Sequence, residues 1–245
     1  MRKFGLIGFP LGHSFSKKYF DAKFETAGIK DCRFDLYEIP EVEEFEKIVG
    51  QNPGLEGLSV TIPYKQTVIS FLDRLDPACE KIGAVNCIRV KDGIKTGYNT
   101  DYIGFKQSLL HWLGHQIPPA LVLGTGGASK AVKQALTDLD VDFLSVSRNP
   151  ASGLVTYDAL AEDPSLMENY PLIINTTPLG TYPKTNEMAD IPVSQLHSGH
   201  RVYDLVYNPA VTLLMQTCID RGGKAKNGQD MLELQAEAAW KIWNS

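Results

Sequence analysis

Long apolar runs are missing from this chain. No stretch of its 245 residues approaches the roughly 20 apolar residues that a membrane-spanning helix needs. The N-terminal segment Met1 to Gly8 reaches glycine too soon for the apolar core of a signal peptide. Cysteine is scarce as well: Cys32, Cys79, Cys87 and Cys218 are far apart and form no C-x-x-C pair, which points to reduced thiols in the cytoplasm. Charge of one sign is not in excess. A net charge of −5 and a pI near 5.6 give no general attraction to nucleic acid or to an anionic membrane, so any anion must be caught by a local basic site. Histidine numbers five, and His111 and His115, four apart at a spacing that permits metal ligation, have no thiol or carboxylate set beside them. We therefore expect no metal. Internal repeats and low-complexity tracts are absent from the sequence too.

What remains is an ordinary globular composition, 43% hydrophobic and 22% charged, with room for one large or two modest domains. Strand and helix patterns alternate along it. Strands are expected over 4–8, 32–39, 57–62, 85–90, 120–123, 141–146, 172–175 and 201–206. Helices are expected from about Ser16, over 42–49, from Pro63 to about Leu72, after Ser129, and from about Met231 to Trp243. Such alternation argues for an α/β fold with mainly parallel sheets.

The turn Gly124-Thr125-Gly126-Gly127-Ala128-Ser129 follows the apolar run Ala120 to Leu123 and leads into Lys130 to Leu136. A buried strand that turns on glycines into a helix is the device that holds a dinucleotide pyrophosphate, because backbone N–H groups can approach the phosphates where no Cβ intervenes. About twenty residues on, where a ribose-reading carboxylate is expected for NAD, the chain reads Ser147-Arg148-Asn149. A guanidinium can pair with a 2′-phosphate, and Ser147 and Asn149 can add neutral hydrogen bonds, so NADP is expected over NAD.

Polar chemistry concentrates in four upstream segments: Gly12-His13-Ser14-Phe15-Ser16, Ser59-Val60-Thr61-Ile62-Pro63-Tyr64-Lys65, Gly83-Ala84-Val85-Asn86 and Gly97-Tyr98-Asn99-Thr100-Asp101. They supply hydroxyls, an amide, one ammonium and one carboxylate, a suitable set for a small polyhydroxylated acid. An ammonium beside a ketone can stabilise the charge that develops on oxygen as hydride arrives and can donate the proton, which makes Lys65 the candidate catalytic group, oriented by Asp101. Asn99-Thr100-Asp101 could also cap the helix that begins near Tyr102. Two Tyr-x-x-x-Lys pairs, Tyr19 to Lys23 and Tyr102 to Lys106, precede the glycine turn, whereas short-chain dehydrogenases carry that pair after it.

In their order along nearly the whole chain, these segments together with N-T-T-P-L-G, D-L-V-Y and M-L-E-L-Q-A resemble the shikimate dehydrogenase family. The resemblance implies reversible NADP-dependent reduction of 3-dehydroshikimate to shikimate in the pathway to chorismate and aromatic amino acids. It implies that Ser14 and Ser16 bind the substrate carboxylate and that Thr61, Lys65, Asn86, Asp101 and Gln235 hold the ring hydroxyls. By the same resemblance Tyr207 lies near the carboxylate and nicotinamide, and Leu205 and Gly228 line the nicotinamide. Gly124, Thr125, Gly126, Gly127 and Ala128 would cradle the pyrophosphate. A relaxed quinate and shikimate enzyme and a non-catalytic nucleotide-binding regulator are the alternatives, and a monomer or homodimer is expected. The sequence departs from the family pattern at Tyr182, which follows Gly180-Thr181 where a methionine is commoner, at Gln229-Asp230 in place of Leu-Gly, and in the short segment between Arg148 and Leu172. Placing Gln235 in the substrate site divides the chain into a substrate domain, 1–103 plus 229–245, and a Rossmann-type NADP domain, 104–228.

Overall fold

The structure, a computed structural model, describes residues 1–12, 14–149 and 153–245. The chain divides into two compact units, Met1–Ile103 with Gln235–Ser245, and Gly104–Leu234. The second crossing falls at Gln235, inside the last helix, rather than at that helix's start, residue 229.

The first unit runs β1 (Arg2–Gly8), α1 (Phe15–Thr26), β2 (Cys32–Glu38), α2 (Phe45–Gln51), β3 (Leu55–Val60), β4 (Arg74–Leu75), α3 (Pro77–Ile82), β5 (Cys87–Lys91) and β6 (Ile94–Tyr98). Its sheet has the order β2-β1-β3-β5-β6-β4. All neighbours pair in parallel except β5, which runs against both β3 and β6. Period-2 alternation in β1 sends Phe4 and Leu6 to one face, where Phe20, Phe24, Phe34 and Trp243 pack, and Ile7 to the other, beside Phe45, Leu58 and Val68. Two sequence expectations need correction. The segment after Pro63 forms turns and a 3-10 helix over Thr67–Phe71 rather than an α-helix to Leu72. The strand ending at Lys91 is half of a hairpin whose partner, β6, the sequence reading passed over. Asp92 and Gly93, at φ +52° and +77°, give the left-handed pair that a two-residue hairpin turn requires.

The connecting helix α4 (Thr100–Leu113) leads to the second unit: β7 (Ala120–Leu123), α5 (Gly127–Thr137), β8 (Phe143–Ser147), β9 (Leu154–Thr156), α6 (Tyr157–Glu162), α7 (Pro164–Asn169), β10 (Leu172–Asn175), β11 (Arg201–Asp204), α8 (Leu213–Asp220), β12 (Lys224–Lys226) and α9 (Gln229–Trp243). Every strand pair is parallel, in the order β12-β11-β10-β7-β8-β9. Numbered within the unit this is 3-2-1-4-5-6, the doubly wound order of a dinucleotide-binding sheet, whose switch point lies between β7 and β10. β7 is buried along its whole length, as a central parallel strand covered on both faces must be. Among the described residues, no helix is long and apolar enough to cross a membrane.

Candidate active site and nucleotide turn

In the first unit, the polar segments follow the carboxyl ends of parallel strands, the edge where an open α/β sheet binds its ligands. The reversed β5 adds its own start to that edge. Asn86, just before β5, accepts at its carbonyl from Val60 N at 2.8 Å and donates its backbone N–H to Tyr98 O at 3.1 Å, which ties the ends of β3 and β6 together.

Lys65 and Asp101 meet directly, Nζ to Oδ2 at 2.6 Å, both largely shielded from solvent. The backbone holds them there. Lys65 O accepts from Val85 N at 2.6 Å, and Tyr64 N donates to Thr61 O at 3.0 Å. Asp101 sits in the first turn of α4. The helix N-cap there is Asn99, whose Oδ1 accepts from Tyr102 N at 3.0 Å and whose amide donates to Ala84 O at 2.9 Å. Because Asn99 does the capping, the Asp101 carboxylate is left to face the ammonium.

Beside the pair runs a buried chain of polar groups. Thr100 N donates to Asn86 Oδ1 at 2.6 Å, and the Thr100 hydroxyl stands 3.2 Å from that oxygen and 3.3 Å from Gln235 Oε1. One hydroxyl proton can serve only one of these acceptors. Thr100, fully buried, is the link the sequence reading missed, and its position between Asn86 and Gln235 brings together two residues far apart in the sequence. Thr61 N is tied to Ile7 O at 3.0 Å, so its side chain is carried at the same strand edge. Ser14 is the N-cap of α1, accepting from Lys17 N at 3.2 Å, which leaves its hydroxyl proton to donate outward. Ser16 is half-buried in the same first turn, where open backbone N–H groups favour an anion. His13 of this segment lies outside the described residues.

In the second unit, Gly124 directly follows β7 at φ +104°, and a Cβ there would lie 2.9 Å from Thr176 Oγ1. Both conditions demand glycine at the switch point. Gly126 and Gly127 open α5, and a Cβ on either would meet nothing within 4 Å. Thr125 and Ala128 complete the turn. An open helix N-terminus bordered by glycines at the switch point fits a pyrophosphate. Ser147 closes β8, and its Oγ accepts from Asn149 N at 3.3 Å. Arg148 and Asn149 are exposed beside it. At the other end of the sheet Gly228 N donates to Val206 O at 3.1 Å, and any Cβ on Gly228 would run into the Leu205 carbonyl. Leu205 and Gly228 therefore lie against each other. Tyr207 follows on the same loop and is 39% exposed. Asp230, one of the departures from the family pattern, pairs with Lys226 at 3.1 Å and stands 3.8 Å from His111.

Two α/β units, one with a polar strand edge and one with a doubly wound nucleotide sheet, define the class as a two-domain dinucleotide-dependent oxidoreductase fold. Similarity to known proteins narrows it. Residues 6–88 match the family described as the shikimate dehydrogenase substrate binding domain. Over 256 residues the chain is 33% identical to the shikimate dehydrogenase (NADP(+)) of Methanosphaera stadtmanae, covering 98% of this chain and 90% of that protein. Among solved structures, a chorismate mutase/shikimate 5-dehydrogenase fusion protein from Clostridium acetobutylicum aligns with TM-score 0.87 and 37% identity over 100% of this chain and 91% of its own. Shikimate 5-dehydrogenase from Thermus thermophilus, in complex with NADP(H) and shikimate, aligns with TM-score 0.86 and 27% identity over 99% of this chain and 93% of its own. The chain belongs to the shikimate dehydrogenase family.

Proposed function

We propose that this protein reversibly reduces 3-dehydroshikimate to shikimate with NADPH as hydride donor. The observation that carries the reading is the 2.6 Å Lys65–Asp101 pair standing beside the Asn86–Thr100–Gln235 chain on one strand edge. NADPH, when bound, supplies the hydride that attacks the ketone carbon. Lys65 then stabilises the growing negative charge on the carbonyl oxygen and gives up a proton from Nζ, which completes the alcohol. Asp101 holds that ammonium in one position, so no side-chain freedom is lost as the charge develops. In oxidation the same groups take the proton from the substrate hydroxyl as hydride leaves.

Ser14 and Ser16 we assign to the substrate carboxylate, at the open first turn of α1. Thr61, Asn86 and Gln235 are assigned to the ring hydroxyls. Asn86 has a further role in positioning Thr100, so its loss affects more than one contact. The turn 124–128 is assigned to the pyrophosphate, Ser147, Arg148 and Asn149 to the 2′-phosphate, and Leu205, Tyr207 and Gly228 to the nicotinamide end. We place the protein in the cytoplasm, where its buried free thiols stay reduced.

The test is absorbance at the NADPH band while purified protein is mixed with shikimate or quinate, each with NADP or NAD. Rapid reduction with shikimate and NADP, and kcat/KM at least tenfold lower for the other three pairs, is the expected result. No reduction with any pair would leave a nucleotide-binding protein without this chemistry, and equal rates with quinate would widen the substrate class.

A further inference from the structure

The best-defined polar cluster outside the residues assigned above surrounds Asp204. This carboxylate is fully buried at the end of β11, in register with Asn175 at the end of β10. Among the described residues, three donors and no cation contact it. Asn175 Nδ2 reaches Oδ1 at 2.9 Å, Val206 N reaches the same oxygen at 3.0 Å, and the Thr212 hydroxyl reaches Oδ2 at 2.6 Å. The direction of each bond is fixed by the next one along. Thr212 Oγ1 accepts from Met215 N at 3.3 Å as the N-cap of α8, so its proton is spent on Asp204. Asn175 Oδ1 accepts from Thr177 N and Thr177 Oγ1 at 3.0 and 2.7 Å, so its amide is the end that faces the carboxylate. Thr177 Oγ1 in turn accepts from Leu179 N at 3.3 Å. Burial pushes the Asp204 carboxyl above its ordinary range, against the three hydrogen bonds that favour the charged form.

A buried carboxylate without a cation costs stability, and apolar packing at this position would cost less. What the carboxylate does is join two loops. The segment after β10 is held through Asn175 and Thr177, and the segment after β11 is held at Val206 and again at Thr212. Between those two anchors lies Tyr207, and beside the first lies Leu205, itself packed on Gly228. The glycine turn has a further anchor outside this network, Gly124 N to Val146 O at 2.9 Å, although Thr176 and Thr177 also lie against Gly124. The 147–149 end of β8 touches none of these groups.

We propose that Asp204 is a positioning residue for the nicotinamide end of the cofactor: its carboxylate sets the loop from Leu205 to Thr212, and it has no part in holding the adenosine end. This rests on the cofactor reading above. It divides binding into two parts that separate probes can measure. Adenosine 2′,5′-bisphosphate carries the 2′-phosphate assigned to 147–149 and one phosphate of the pyrophosphate but no nicotinamide, while NADPH carries both ends.

The experiment measures affinity of the full-length protein for each probe by titration calorimetry, without substrate, alongside kcat for shikimate and NADP. Asp204→Asn puts an amide N–H against a donor, and Thr212→Val removes one donor, together with the cap of α8, while leaving the carboxylate in place. Both are expected to keep bisphosphate affinity within about twofold while NADPH affinity falls at least fivefold and kcat at least tenfold. Thr212→Ser, which keeps the hydroxyl, should restore all three. The proposal is overturned if NADPH affinity and kcat are unchanged in a folded variant, or if affinity for both probes falls in parallel in Thr212→Val, as a general loosening of the unit would produce. The two binding measurements involve no substrate, so a wrong substrate assignment would show up separately, as an absence of turnover in the parent protein.

Discussion

The two units make their sites by opposite means. The first uses side chains: an ammonium is paired with a carboxylate, and beside them two amides are linked through a threonine, at a strand edge. In the second, the proposed cradle is backbone, a glycine turn at φ +104° opening a helix, and Asp204, the buried carboxylate among the described residues of that unit, is proposed to act behind the surface by setting loops. The difference predicts how each responds to mutation. Truncating a first-unit side chain should remove chemistry and leave cofactor affinity, whereas adding a methyl group to second-unit glycines should remove affinity and leave the substrate edge intact.

The largest effect is expected at Lys65. Lys65→Ala should lower kcat by about 10²–10⁴-fold, the range for a positioned general acid, with NADPH affinity by calorimetry unchanged. Arg148→Ala comes next. Loss of a charge-assisted hydrogen bond is worth about 1.5–3 kcal/mol, so NADPH should bind roughly ten- to a hundredfold more weakly while NADH affinity stays the same. Equal losses for the two cofactors would detach Arg148 from the 2′-phosphate. Gly228→Ala puts a methyl group into the Leu205 carbonyl, a strain of about 1–3 kcal/mol. Lower thermal stability together with weaker NADPH binding is the expected result, with affinity for shikimate alone kept.

The smallest effect is on stability against pH. His200 is buried in the second unit, its Nδ1 3.2 Å from His197 N and its Nε2 3.2 Å from Met167 O. Burial, with His197 nearby, lowers its pKa from the ordinary value of 6.5. Its folded pKa lies below the unfolded one, so the histidine costs nothing above pH 6.5 and destabilises the fold as pH drops from there toward the folded value. The melting temperature should fall by a few degrees between pH 7.5 and 5.5, and His200→Gln should reduce that fall. An unchanged drop in the variant would assign it to other groups.

How much of this was legible in the sequence follows the same division. The nucleotide sheet was readable because its strands are short apolar runs bounded by proline, glycine or polar residues: Ala120–Leu123 and Leu172–Asn175 have the expected ends. Lys65, Asp101, Asn86 and Gln235 were named through an ordered set of motifs, and the geometry joins Lys65 to Asp101 and links Asn86 to Gln235. The link itself, Thr100, was invisible because a threonine at a helix start reads as a cap, and only the structure shows Asn99 in that role. Asp204 and Thr212 were hidden for a related reason. Their partner Asn175 is 29 residues from Asp204, and that contact exists only once β10 and β11 lie side by side. The β5–β6 hairpin was missed because strict alternation of strand and helix was expected, although Lys91-Asp92-Gly93 carried the turn signal.

The central claim is that Lys65 and Asp101 act as one unit, and a double-variant cycle tests it most directly. Turnover of shikimate with NADP would be measured for Lys65→Ala, Asp101→Asn and the two combined, each with its cofactor affinity checked. If the carboxylate works only by holding the ammonium, the combined variant should match Lys65→Ala within about twofold, because groups acting together are not additive. Losses that multiply would show two independent contributions and contradict the account.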